Sequence, residues 1–218
     1  KGFAMDDERL KNPDNIFGQD YFEEQLERIR DIRSSERRFY QKITDIYAQC
    51  SADYNKNTEE TKEFFATVQN KLHWAISRQT AAEIISTRAD SKKQNMGLTA
   101  WKNGPVGKIR KSDVSIAKNY LNEDELDNLN RIVSMYLDFA ELQAKNRKLM
   151  YMKNWIEKLN AFLKFNEKDV LENSGTVTAE IAKTIAESEF EKYRFTQDKI
   201  LESDFDNYVK ELVKKYKA

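Results

Sequence analysis

Apolar residues recur at spacings of three and four along most of the chain, the period of helices that bury one face. From about residue 19 to 50, Leu26, Ile29, Tyr40, Ile43, Tyr47 and Cys50 form such a stripe. Ile32, Phe39 and Ile46 widen it, and Arg33 and Glu36 interrupt it. This predicts a helix of roughly eight turns, with a stripe wide enough to pack against several helices rather than in a two-stranded coiled coil. Asn57 with Glu60 reads as an N-cap and its reciprocal carboxylate, opening a helix through Phe64, Phe65, Val68, Leu72 and Ile76. Thr80 with Glu83 repeats the pattern and starts a helix carrying Ile84 and Ile85. Gly97, Gly104, Pro105 and Gly107 then break the period, predicting one long irregular connection over about 90–112.

A short helix is expected over 113–121, then a cap at Asn122 with Glu125. The central helix that follows holds Leu126, Leu129, Ile132, Val133, Tyr136, Leu137, Phe139 and Leu142. Met152, Trp155, Ile156, Leu159, Phe162, Leu163 and Phe165 continue the period, either as the same helix bent near 145–150 or as its successor. Asn173, Ser174 and Gly175 read as its stop. Helices from Thr178 to about Phe195 and from Ser203 to Tyr216 complete an all-α, bundle-like fold. The domain expectation is a linker over 1–18 and one helical domain over 19–218, with an arm at 19–50, a core at 57–195 and a C-terminal helix at 203–217.

Composition agrees, since six glycines and two prolines beside 34% charged residues suit long helices and not sandwiches or barrels. The 37 basic and 37 acidic residues cancel, which excludes a uniformly basic nucleic-acid coat and makes local sign the informative quantity. Cys50 and His73 are the single cysteine and histidine. An intrachain disulfide, a Cys-based zinc site and a multi-His metal cluster are therefore excluded, and a reducing, cytoplasmic location is expected. No run of about 18 apolar residues suggests a membrane span. Neither a P-loop nor a G-x-G-x-x-G, H-E-x-x-H or EF-hand pattern occurs, so no cofactor is expected.

Charge concentrates over 88–118, where Arg88, Lys92, Lys93, Lys102, Lys108, Arg110, Lys111 and Lys118 face Asp90 and Asp113; eight minus two leaves plus six. With Trp101 inside it, such a loop suits phosphate contact. Lys92, Lys93, Trp101, Lys102, Lys108, Arg110 and Lys111 are the candidate nucleic-acid or partner contacts. The competing reading is a solvated loop, or one docked on the acidic run Glu123, Asp124, Glu125 and Asp127. His73, beside Trp74 in an apolar helix, is the one candidate acid or base. No elbow motif around Cys50, Ser77 or Ser86 supplies a nucleophile, so packing is the plainer role for His73.

Five longer words complete the reading: Lys1-Gly2-Phe3-Ala4-Met5-Asp6-Asp7-Glu8-Arg9-Leu10, Phe64-Phe65-Ala66-Thr67-Val68-Gln69-Asn70-Lys71-Leu72-His73-Trp74-Ala75, Asn95-Met96-Gly97-Leu98-Thr99, Ala117-Lys118-Asn119-Tyr120-Leu121 and Met135-Tyr136-Leu137-Asp138-Phe139-Ala140. In this order, from Lys1 to about Phe190, the chain resembles the bacterial virulence RhuM family. The tail beyond Phe195 carries none of its words. The resemblance implies a preceding region similar to a DNA-binding domain, with residues 1–18 as the link leaving it. It also implies association with pathogenicity islands, restriction-modification genes and other mobile elements, and it carries over no catalytic residues. The expectation is a non-enzymatic helical interaction or oligomerisation domain of a DNA-associated bacterial protein. Its expected partners are a second copy, through the helix at 19–50, and DNA, through the preceding region or the basic loop. Two other readings stay open: a nucleic-acid-directed enzyme using His73 with the loop at 88–118, and a secreted virulence effector.

Overall fold

The computed structural model describes residues 25–30, 41–47, 51–55, 57–105, 107–146 and 149–200. These residues are mostly helical and include no named strand, in keeping with an all-α fold. Residues 25–30 and 41–47 are helical. They precede α1 (Glu59–Ser77), α2 (Ala81–Arg88), α3 (Glu123–Lys145), α4 (Met152–Phe165) and α5 (Ala179–Ile200). Two 3-10 turns, Gln94–Gly97 and Ala117–Tyr120, lie between α2 and α3. The described residues form two compact units, one within 25–76 and 127–170 and the other within 77–126 and 171–200. The expected single helix over 19–50 falls mostly outside the described residues, and the expected helix at 203–217 falls wholly outside them.

In the first unit, Tyr47 joins the elements. Its buried ring lies 4.8 Å from Trp155 on α4 and 5.1 Å from Phe64 on α1, and its hydroxyl meets that of Tyr136 on α3 at 3.3 Å. Such aromatic contacts add to the area they remove from water. Burial pushes the Tyr136 hydroxyl well above the usual phenol range, against the smaller opposing effect of the Tyr47 hydrogen bond. Ile43, Ile46 and Tyr47 are all buried, so this part of the N-terminal stripe is spent on the unit's own core. α3 and α4 are two helices and not one bent helix. Met150 forms a bridge with Ser51 and accepts from the Ala52 amide at 2.9 Å, holding the junction extended. Asp53 then accepts the first free amide of α4, that of Met152, at 2.9 Å.

The second unit is built on α2 packed against α5. The Thr80–Glu83 capping box forms as expected, with the Thr80 hydroxyl accepting from the Glu83 amide and the Glu83 carboxylate accepting from the Thr80 amide. Ile84 and Ile85 are buried, as are Ala182, Ala186, Phe190 and Tyr193 along one stripe of α5. Two alanines one turn apart allow close backbone approach. Each buried isoleucine removes apolar surface worth about 1.5–3 kcal/mol.

Four boundaries differ from the sequence expectation. The cap of α1 is Thr58, whose hydroxyl accepts from the Thr61 amide at 3.4 Å, and not Asn57, whose amide is turned onto the Asn55 side chain at 3.1 Å. Residues 113–121 are not an α-helix. The Asp113 carboxylate accepts from the Arg110 amide at 2.9 Å, the Asp113 carbonyl takes the Asn119 side-chain amide at 2.9 Å, and Thr99 donates to the Leu121 carbonyl at 2.6 Å. Side chains that capture backbone groups in this way compete with helical bonds, leaving only the 3-10 turn. α4 ends at Phe165, well before Asn173. Glu167 takes a left-handed φ of 56°, and the amides of Glu167 and Lys168 return to the carbonyls of Lys164 and Leu163. α5 runs on past Phe195 to Ile200.

Replacing a left-handed non-glycine residue should relieve strain. Glu167→Gly is expected to raise unfolding stability by about 0.5–1 kcal/mol, the left-handed penalty less glycine's extra chain entropy. Gly97→Ala is expected to lower it by about 1–3 kcal/mol, because φ is 88° and a Cβ would sit 2.3 Å from the Arg88 carbonyl oxygen. Thermal or urea melts measure both; a destabilised Glu167→Gly would refute the capping account.

Candidate functional site

The basic stretch begins where α2 ends, at Arg88. Its guanidinium grips the Glu125 carboxylate with both terminal nitrogens, at 2.5 and 2.7 Å, and also donates to the Tyr120 carbonyl at 3.0 Å and the Gln79 side chain at 3.2 Å. Glu125 meanwhile accepts from the Asn122 amide at 2.9 Å, completing the expected cap of α3. The pair is part-buried, with side-chain exposures of 25% and 17%, and the hydrogen bonds that Arg88 donates to Glu125 hold its proton more tightly than usual despite burial. One member of the basic cluster is thus docked on the acidic run, in line with the competing reading of the charge pattern.

After Arg88 the chain enters a strained turn. Asn95 and Met96 have φ of 51° and 47°, and Gly97 follows at 88°. Left-handed conformations of this kind cost energy in a residue with a Cβ. They are held by fully buried Met96 and by the Asp90 amide, which donates to the Met96 carbonyl at 3.2 Å. α5 anchors the loop at three further places. Glu189 accepts from the Ser91 amide at 2.8 Å, Gln197 bonds both the amide and carbonyl of Ile109 at 2.8 and 3.2 Å, and Glu187 pairs with Lys111 at 3.2 Å. The Trp101 indole donates to the Gly107 carbonyl at 2.6 Å, closing the tip of the loop.

Lys92, Lys93 and Trp101 line one cleft of about 360 Å³ together with Asn95, Tyr193 and Gln197. Lys102, Lys108, Arg110 and Lys111 are exposed and lie outside its lining, and Lys118 is half-buried. Lys92, Lys93, Lys102 and Arg110 make no ion pair among the described residues. Sequence reasoning misses Tyr193 and Gln197, because on α5 they read only as continuing a helical stripe. His73 is 4% exposed within α1 of the first unit, whereas the loop belongs to the second. No group of acidic, His or Cys residues among those described could hold a metal ion, and no described helix is long and apolar enough to cross a membrane.

A second latch closes the unit. Burial alone would raise the Glu83 pKa, but hydrogen bonds from Thr176 and Thr80 outweigh it and lower it. Thr176 donates both its amide and its hydroxyl to Glu83, at 2.8 and 2.7 Å. The Asn173–Gly175 segment, expected to be a helix stop, is a turn seated against the cap of α2, where a Cβ on Gly175 would lie 2.7 Å from Thr80.

The virulence protein RhuM family matches residues 1–202. No curated protein and no solved structure matches the chain significantly.

The Glu189 anchor makes a pH prediction. The hydrogen bond from Lys192, then those from Ser91, hold its carboxyl down at about 2, against an ordinary 4.5. A depressed folded-state pKa contributes stability that is complete above the ordinary value and is lost as pH falls from about 4.5 towards about 2. A carboxyl-detected NMR titration should find Glu189 still ionised at a pH where exposed glutamates are half protonated. A midpoint for Glu189 in the ordinary range would rule out the anchor.

Proposed function

Given that the chain belongs to the virulence protein RhuM family, we propose that it is a non-enzymatic interaction domain of a DNA-associated protein, with the basic loop as its polar contact surface. Virulence association comes with the family; the contact surface is the further step. The observation that supports it is the division of charge within the loop. Arg88 and Lys111 are engaged by Glu125 and Glu187, while Lys92, Lys93, Lys102 and Arg110 remain exposed on a backbone tied down at both ends. Cations held on a fixed backbone neutralise phosphates at a lower ordering cost than those on a mobile tail. His73, buried in the other unit, gives the enzymatic alternative no support.

The test is fluorescence anisotropy of labelled DNA with the full chain across a salt series. Changing Lys92, Lys93, Lys102 and Arg110 together to Ala should weaken binding at least tenfold at low salt. It should also reduce the salt slope by roughly 0.7–0.9 for each phosphate that is no longer neutralised. Unchanged affinity would remove the loop from the interface, and no binding at low salt would leave a domain that contacts protein alone.

A further inference from the structure

The exposed lysines account for phosphate contact but leave the cleft behind them without a role. We propose that this cleft receives a single unstacked nucleotide, its base against Trp101, with the largely buried Tyr193 as part of the cleft wall, and its phosphate at Lys92 and Lys93. The inference rests on the loop as a phosphate contact and adds what the loop distinguishes.

Three observations carry it. The first is size and lining. About 360 Å³ lies at the small end of ligand sites, the scale of one nucleotide rather than several. Trp101, Pro105, Ile109 and Tyr193 give the lining its apolar and aromatic part, and Lys92 and Lys93 are its only charged members among the described residues. An occupant must therefore be anionic at one end and flat or apolar at the other. The second is pre-organisation. The Trp101 ring is held through its N–H to Gly107, and a Cβ at Gly104 would come within 3.1 Å of the indole. The Gln197 amide is committed to Ile109 on both its donor and acceptor sides, so it serves as wall. Asn95, at the strained turn, contributes an amide able both to donate to and to accept from a base edge. Strain of this kind persists where the surroundings over-determine it and is concentrated at ligand clamps.

The third is steric selection. Bases inside a duplex are stacked face to face, so a duplex could reach the rim lysines but could not present a base face to Trp101. A single strand or a free nucleotide can do both, and stacking on an aromatic ring tolerates any base.

The experiment uses the full chain with fluorescein-labelled oligothymidylate, the same strand in duplex form, and thymidine monophosphate as competitor. Single-stranded DNA should bind more tightly than duplex and quench tryptophan fluorescence. The quench should disappear in Trp101→Phe, which keeps a ring in place while Trp74 and Trp155 remain. Trp101→Ala should weaken single-strand binding roughly tenfold or more. Lys92→Ala with Lys93→Ala, two exposed positions whose truncation leaves the core untouched, should lower affinity and salt slope without removing the quench at saturation. Displacement of the strand by the monophosphate identifies a free nucleotide as a sufficient ligand; quenching by the strand without displacement identifies the strand as the source. Equal binding of single strand and duplex, with no change in Trp101→Phe, overturns the inference and leaves the loop reading intact. Absence of binding by either DNA, with no quench of tryptophan fluorescence by the monophosphate, overturns both.

Discussion

The second unit depends on the fork between Arg88 and Glu125. A two-pronged hydrogen bond between guanidinium and carboxylate is directional as well as strong, and here it joins the last residue of α2 to the first turn of α3. Hydrogen bonds to charged groups contribute about 1.5–3 kcal/mol where both partners are largely withdrawn from water. Glu125 has a second duty as the reciprocal cap for Asn122, and Arg88 a second duty on the Tyr120 carbonyl. Loss of the Glu125 carboxylate would therefore leave a part-buried charge at Arg88 and remove the reciprocal half of the α3 cap together.

With its two ends fixed, the intervening chain can hold a shape that its own sequence disfavours. Three consecutive left-handed residues at Asn95, Met96 and Gly97 persist because Met96 is buried and Gly97 fits against Arg88. α5 supplies the remaining constraint. Glu189, Tyr193 and Gln197 are spaced by four, so one face of that helix presents an acid to Ser91, a ring to the cleft and an amide to Ile109. The result is a loop in which some charges maintain the fold and others remain available at its surface.

Local signals are legible in the sequence and tertiary ones are not. The Thr80–Glu83 and Asn122–Glu125 caps need only neighbours three residues apart, and both form at the expected positions. The α1 cap is displaced by one residue because Asn55 captures Asn57, a competition between equivalent side chains that spacing cannot decide. The end of α4 carries no glycine, since Glu167 accepts the left-handed position glycine usually fills, so the visible Asn-Ser-Gly signal places the boundary too late. In the basic stretch the net charge is plain from the residues. Which cations are consumed is not, because Glu125 and Glu187 reach Arg88 and Lys111 only through the fold. Tyr193 and Gln197 are hidden for the same reason.

If the Arg88–Glu125 fork holds the loop in its working shape, amide hydrogen exchange of the wild type against Glu125→Gln will register its loss. Protection at Asp90, Met96, Ile109 and Arg110, whose amides bond within the unit, is expected to fall by about one to two orders of magnitude, the equivalent of a charged hydrogen bond. Protection in α4 should stay at its wild-type level. Unchanged protection in the loop, or an equal loss across α4, would mean that the fork does not hold it.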